Sequence, residues 1–200
     1  MAETIITIGR EFGSGGAETG RKLADKLGIP FYDKELITLA AQKTGLNERY
    51  LEAHDEKPAN PLSFALNAGM YLGSVQPVNQ SLLKAQFDTI RQLASKGSCV
   101  LVGRCADYIL KDDPRLFSCF ICAPLEQRVE RIARLHDLSH EAAEELVRKT
   151  DKQRASYYNF YSPSNWGRAA NYDLCVNSKS GVNQAVSLIL EALCLRGLKK

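Results

Sequence analysis

Thr4-Ile-Ile-Thr-Ile-Gly9 runs straight into Arg10-Glu-Phe-Gly-Ser-Gly-Gly-Ala-Glu-Thr-Gly20, and this succession decides the fold. The first stretch is a short β-branched run, the composition of a strand buried on both faces of a parallel sheet. In the second, glycines fall where a strand must turn tightly into a helix. Glycine reaches φ > 0 there and lets backbone N–H groups approach a ligand with no Cβ in the way. Those N–H groups, with the positive end of the helix that follows, attract phosphate. Leu23, Ala24 and Leu27 have helical spacing and predict a helix over Gly20–Leu27. The candidate phosphate-binding residues are therefore Gly13, Ser14, Gly15, Gly16 and Ala17.

Outward from this point, Gly28–Asp33 offers a second strand and Lys34–Lys43 a second helix. A strand-helix-strand-helix beginning implies a parallel sheet covered by helices. Thr44–Pro77 is irregular, interrupted by Pro58, Pro61, Gly69 and Gly73, and reads as an excursion from the sheet. Val78–Lys96 follows as an amphipathic helix, Ser98–Gly103 as a buried strand with a short helix through Leu110, and Leu116–Cys122 as another strand. Leu125–Arg134 and Ser139–Lys149 are charged helices, the second capped by Ser139, and Asp151–Gly167 is a polar, aromatic segment. Tyr172–Asn177 and Val182–Leu195 supply the last strand and helix. The expected fold is a three-layer α/β/α domain with a parallel sheet of about five strands.

The 200 residues, 44% hydrophobic and 24% charged, suit one compact domain. No apolar run is long enough to cross a bilayer, and Met1–Thr4 has no basic region leading into an apolar one, which points to the cytoplasm. A net charge of +3 without blocks of like charge predicts neither a nucleic-acid nor a membrane partner; the oligomeric state is left open. The six cysteines lie mostly in apolar, strand-like surroundings, as buried free thiols do in a reducing compartment. Cys119-x-x-Cys122 sits inside a strand and has no second pair at ligand spacing, so no metal ligands are assigned.

The strict phosphate-loop pattern G-x-x-x-x-G-K-[ST] is not met. With Gly15 as its second glycine, Gly16 and Ala17 take the places of the lysine and the hydroxyl. A second register, Gly15 to Gly20 followed by Arg21, starts beyond the strand end and falls within the helix. Gly13-x-Gly15 with Asp33 also keeps a dinucleotide-binding reading open, although the third glycine is misplaced.

The ordered blocks Arg10-Glu-Phe-Gly-Ser-Gly-Gly, Pro30-Phe-Tyr-Asp-Lys-Glu-Leu, Val102-Gly-Arg-Cys-Ala-Asp and Asn171-Tyr-Asp-Leu-Cys-Val-Asn resemble the cytidylate kinase-like family. The resemblance implies a P-loop, nucleoside monophosphate kinase-like fold in a single domain over residues 1–200. Its core would comprise residues 1–43, 97–127 and 168–200, with a substrate-side excursion over 44–96 and a lid over 128–167. It also implies ATP and Mg²⁺ as cofactors, small nucleotides as substrates, and transfer of the ATP γ-phosphate to a nucleoside monophosphate such as cytidylate. A non-catalytic nucleotide-binding module that lost its lysine is the alternative.

Phosphoryl transfer needs cations around the spread charge of the transition state rather than a covalent nucleophile. Arg10, just ahead of the glycines, is the nearest replacement for the lysine, with Arg131 and Arg154 as further catalytic candidates. Arg104 follows a strand end, where parallel sheets collect ligands, and matches the Gly-Arg that holds the acceptor in cytidylate kinases. Asp33 is the second acceptor candidate, or a helix cap, and Arg128, Asp151 and Lys152 are lid candidates. Tyr157, Tyr158, Tyr161 and Trp166 read as anchors of the lid to the core.

Overall fold

The computed structural model describes residues 3–33 and 77–197. The expected helix over 34–43 and most of the irregular excursion lie outside the described residues. Five strands, β1 (Ile5–Arg10), β2 (Phe31–Tyr32), β3 (Cys99–Val102), β4 (Leu116–Cys122) and β5 (Leu174–Asn177), form one sheet in the order β2-β3-β1-β4-β5. Every pairing is parallel.

Alternation along the strands sorts the core into two layers. Ile6, Ile8, Val100, Val102, Cys119 and Ile121 point to one face. There they meet Leu23 and Ala24 of α1 (Gly16–Leu27) and Val186 and Ile189 of the helix Val182–Leu195. Ile5, Cys99, Leu101 and Leu116 point to the other face. That face is covered by α2 (Pro77–Ala94), through Ile90 and Leu93, and by the short α3 (Ala106–Ile109). Two further helices, α4 (Leu125–His136) and α5 (His140–Tyr161), pack together through Val129, Ile132, Ala143 and Val147, and Val182–Leu195 is α6.

The topology fixes where a ligand can sit. β1 is central, and Ile8 is level with both Val102 and Cys119, so the carboxyl ends of β1, β3 and β4 align. The chain leaves β1 toward β2 but leaves β4 toward β5. Such divergence opens a crevice at the carboxyl ends of the strands.

Three expectations need correction. α1 starts at Gly16 rather than Gly20. Its first turn is buried through Gly16, Thr19 and Gly20, so close backbone approach replaces the apolar pattern there. A Cβ on Gly20 would lie 3.0 Å from Ile8 and 3.2 Å from Val102. The helix expected to end at Lys149 runs on to Tyr161. No glycine or proline interrupts it before Pro163, and Tyr157, Tyr158 and Tyr161 supply a packed face at helical spacing. Finally, Cys175 and Cys194 are exposed; only Cys99, Cys105 and Cys119 are buried.

Candidate active site

The turn between β1 and α1 is held in a glycine-dependent shape. Gly13 and Gly15 have φ of +82° and +79°, and Gly15 caps α1 from the left-handed region with no side-chain cap. The α1 amides of the first turn are thus the natural acceptor of an anion. Ser14 folds back on the turn, its Oγ donating to the Glu11 carbonyl at 2.8 Å. Behind the loop, Ser178 Oγ lies 2.7 Å from the Ser14 carbonyl and 3.0 Å from that of Cys122, a contact with no signal in the sequence.

Arg10 ends β1 on the α1 side of the sheet and is buried. A Cβ on Gly16 would lie 2.5 Å from Arg10 Cβ and 3.0 Å from its Cγ. Side chains at positions 10 and 16 therefore exclude one another. In the strict loop pattern the first glycine falls at position 10 and the lysine at position 16. Here the two are exchanged: arginine stands at 10 and glycine at 16. The six-residue spacing was the signal for this coupling, and reading Arg10 alone misses it. Arg10 Nη2 stands 3.9 Å from the Asp33 carboxylate.

Beyond β3, Gly103, Arg104 and Cys105 have φ of +76°, +58° and +54° in succession. Non-glycine residues in this region carry strain of about 1–3 kcal/mol each, which persists where the surroundings enforce it. The turn puts the buried Arg104 into the cleft that Arg10, Arg154, Asp33 and the glycine loop also line. Arg154 reaches it from α5, its guanidinium 5.3 Å above the Phe12 ring and donating to the Arg10 carbonyl at 3.3 Å. Arg10, Arg104 and Arg154 thus gather with Asp33 at the carboxyl end of β1.

The remaining candidates separate. Arg128 and Asp151 do not line this cleft but bind the loop from behind, where Asp151 accepts the Phe12 N–H at 2.7 Å and Arg128 donates to the Phe12 carbonyl at 3.1 Å. Lys152 is exposed. Arg131 lines the cleft and pairs with Glu18 of α1. Hydrogen bonding from Lys22, then from Arg131, holds the Glu18 carboxyl below its usual pKa. On the far side of the loop, Ser14, Gln127, Arg131, Arg134, Lys179 and Val182 line a second groove.

Aromatic side chains line a smaller cavity that adjoins the cleft at Arg10, Arg104 and Arg154. Tyr157 and Tyr158 are buried against Cys105, and Trp166 meets the Phe120 ring edge-on at 5.4 Å, so the aromatics anchor the end of α5 to the core. Tyr158 Oη donates to Asp107 at 2.7 Å. Burial pushes the Asp107 carboxyl above its usual pKa, against the pull of that hydrogen bond.

No group of three metal-ligating side chains occurs among the described residues, and Ala17 lacks the oxygen that the loop hydroxyl would supply. Mg²⁺ commonly keeps several waters and is bound through one or two carboxylates plus substrate phosphates. Asp33, on the cleft wall, fits that mode.

The central strand, glycine turn and strand order define a P-loop fold of the nucleoside monophosphate kinase type, with arginines gathered at its cleft. The profile of the cytidylate kinase-like family matches residues 5–180, and the chain belongs to that family. It is 25% identical over 186 residues to a cytidylate kinase of Methanobrevibacter smithii, covering 93% of this chain and 95% of that one. An uncharacterized protein from Eubacterium ventriosum has a solved structure 32% identical to it, with a TM-score of 0.72 over 94% of this chain and 97% of the other. Shikimate kinase from Bacteroides thetaiotaomicron shares the fold at 13% identity, with a TM-score of 0.56 over 96% and 99% of the two chains. Among the described residues no helix is long and apolar enough to cross a membrane.

Proposed function

We propose that this protein transfers the γ-phosphoryl group of ATP, with Mg²⁺, to a nucleoside monophosphate, a cytidylate-like acceptor. The supporting observation is the exchange at positions 10 and 16. It returns to the cleft the cation that the loop lacks, beside Arg104 and Arg154.

The glycine loop and the first turn of α1 bind the donor phosphates through backbone N–H groups. Arg104 and Asp33 orient the acceptor. In the transfer, the bond from the γ-phosphorus to the β–γ bridging oxygen breaks as a bond forms to an acceptor phosphate oxygen. The electron pair leaves with ADP, and an ionised acceptor phosphate has no proton to lose. Arg10, Arg131 and Arg154 offset charge on the transferred group, where planar guanidiniums match phosphate oxygens. Mg²⁺, when bound with the donor, would be held in part by Asp33 and would supply positive charge that offsets the phosphate oxygens.

A coupled assay with ATP, Mg²⁺ and a panel of nucleoside monophosphates tests this, with turnover expected on cytidylate. No turnover of any acceptor refutes it. ATP binding by calorimetry without turnover would support the non-catalytic module, the reading that Ala17 favours.

A further inference from the structure

A closely built contact behind the loop lies outside the cleft. Phe12 is the second residue after β1, and both ends of its backbone are held. Asp151 Oδ1 accepts its N–H at 2.7 Å, and Arg128 Nη1 donates to its carbonyl at 3.1 Å. Arg128 Nη1 also meets Asp151 Oδ2 at 2.5 Å, so one guanidinium and one carboxylate close a ring around a single residue's backbone. The two side chains are only 9% and 17% exposed.

Two further contacts fix this ring to the fold. Arg128 Nε donates to the Ala123 carbonyl at 3.1 Å, and Glu11 accepts the Ala123 N–H at 3.0 Å. The start of the loop is thereby joined to the turn after β4. At Gly13, a Cβ would lie 2.7 Å from the Arg128 carbonyl oxygen, so the backbone of α4 seats directly on the loop.

We propose that Arg128 and Asp151 are a positioning pair that holds the loop in its anion-accepting shape before a donor arrives. A loop whose amides wrap a phosphate must be ordered at some stage. In the strict pattern the lysine lies in the loop itself and can brace it together with the ligand. Here that lysine is absent, and the bracing comes from α4 and α5, independently of any ligand. Charge and support, one residue's work in the strict pattern, are divided between Arg10 on the cleft side and the Arg128–Asp151 pair behind. This inference rests on the phosphate-binding reading of the loop.

The test measures binding of ATP and of inorganic tripolyphosphate by calorimetry, alongside hydrogen exchange at the Phe12 amide and acceptor KM. Asp151→Ala should weaken both ligands by about 10- to 100-fold, the loss typical when supporting partners of a binding site are removed. It should also speed Phe12 exchange and leave acceptor KM unchanged. Asp151→Asn, which keeps an oxygen for the Phe12 N–H, should recover most of the affinity. Arg128→Ala alone would strand a buried carboxylate, so the control for folding is Arg128→Met with Asp151→Leu. Paired apolar replacement of a buried ion pair is often neutral for stability. That double variant should melt near the wild type yet bind both ligands weakly. Wild-type affinity in the folded double variant, or in Asp151→Ala, overturns the positioning role and leaves the loop reading intact. Failure of the wild type to bind either ligand overturns both.

Discussion

Gly16→Ala is the smallest change that tests the exchange between positions 10 and 16. At a helix start with ordinary backbone angles, replacing glycine by alanine normally stabilises a protein by about 0.4–1 kcal/mol. Gly16 has no positive φ, so nothing in its backbone opposes the substitution. The added Cβ would instead meet Arg10 Cβ at 2.5 Å and Cγ at 3.0 Å. Carbon atoms prefer separations of about 3.5–4.0 Å. Because the closest atom is a Cβ, rotating the arginine gives no relief; β1 or α1 must move. Overpacking of this kind costs about 1–3 kcal/mol. In a chain of this size, that lowers Tm by about 2–12 °C. Arg10→Gly removes the opposing atoms, so in the double variant the alanine should cost nothing. A thermal or urea cycle over the four proteins reads the coupling, expected at about 1–3 kcal/mol. Arg10→Gly alone should lower kcat by about 100-fold or more, as loss of one transition-state contact does. Adding Gly16→Lys to it should restore much of that loss, since lysine then has room. Additive single effects, within about 0.5 kcal/mol, refute the exchange.

Arg104→Gly and Arg104→Ala both remove the guanidinium and should raise acceptor KM alike, but only glycine adopts the φ of 58° without strain. The glycine variant should be more stable by about 1 kcal/mol, and equal melting temperatures would contradict this. Asp107 has its folded-state pKa raised by burial, so the folded form holds the proton more tightly. Its stabilising effect is complete below the unfolded pKa and is lost as pH rises through the folded one. Asp107→Asn keeps an acceptor for Tyr158 and should flatten the dependence of stability on pH across that window; an unchanged slope counts against it. Glu18→Gln removes a negative charge beside the loop and should tighten ATP binding at low ionic strength. That gain should shrink as salt is added, which a calorimetric series checks.

The strands were legible because buried parallel strands advertise themselves as β-branched runs between glycines. Thr4–Gly9 and Ser98–Gly103 both do so, and even the Cys119–Cys122 stretch reads as a strand before it reads as a thiol pair. Helix ends were less legible. The first turn of α1 packs through Gly16, Thr19 and Gly20, which carry no apolar period, and α5 hides its length behind tyrosines that resemble a loop until their spacing is matched to a surface. Arg104 could be found from its place after a strand. The partners of Arg128 could not: Asp151 is 23 residues away, and Phe12 is 116. Only the packing of α4 on the turn between β1 and α1 makes one neighbourhood of them.

An arginine at the end of β1 is not a simple substitute for a lysine at the start of α1. A cation in the first helical turn opposes the helix dipole, while a carboxylate there is favoured. Moving the positive charge to β1 removes that conflict and lets Glu18 occupy the first turn, where it orients Arg131. Positive charge gathers as a consequence, since Arg10, Arg104, Arg131 and Arg154 line one cleft with Glu11, Glu18 and Asp33. The arrangement is therefore more favourable with a multivalent anion in place than without one. That places the electrostatic gain of the site in ligand binding, while Arg128, paired with Asp151 and Glu11, holds the loop from behind.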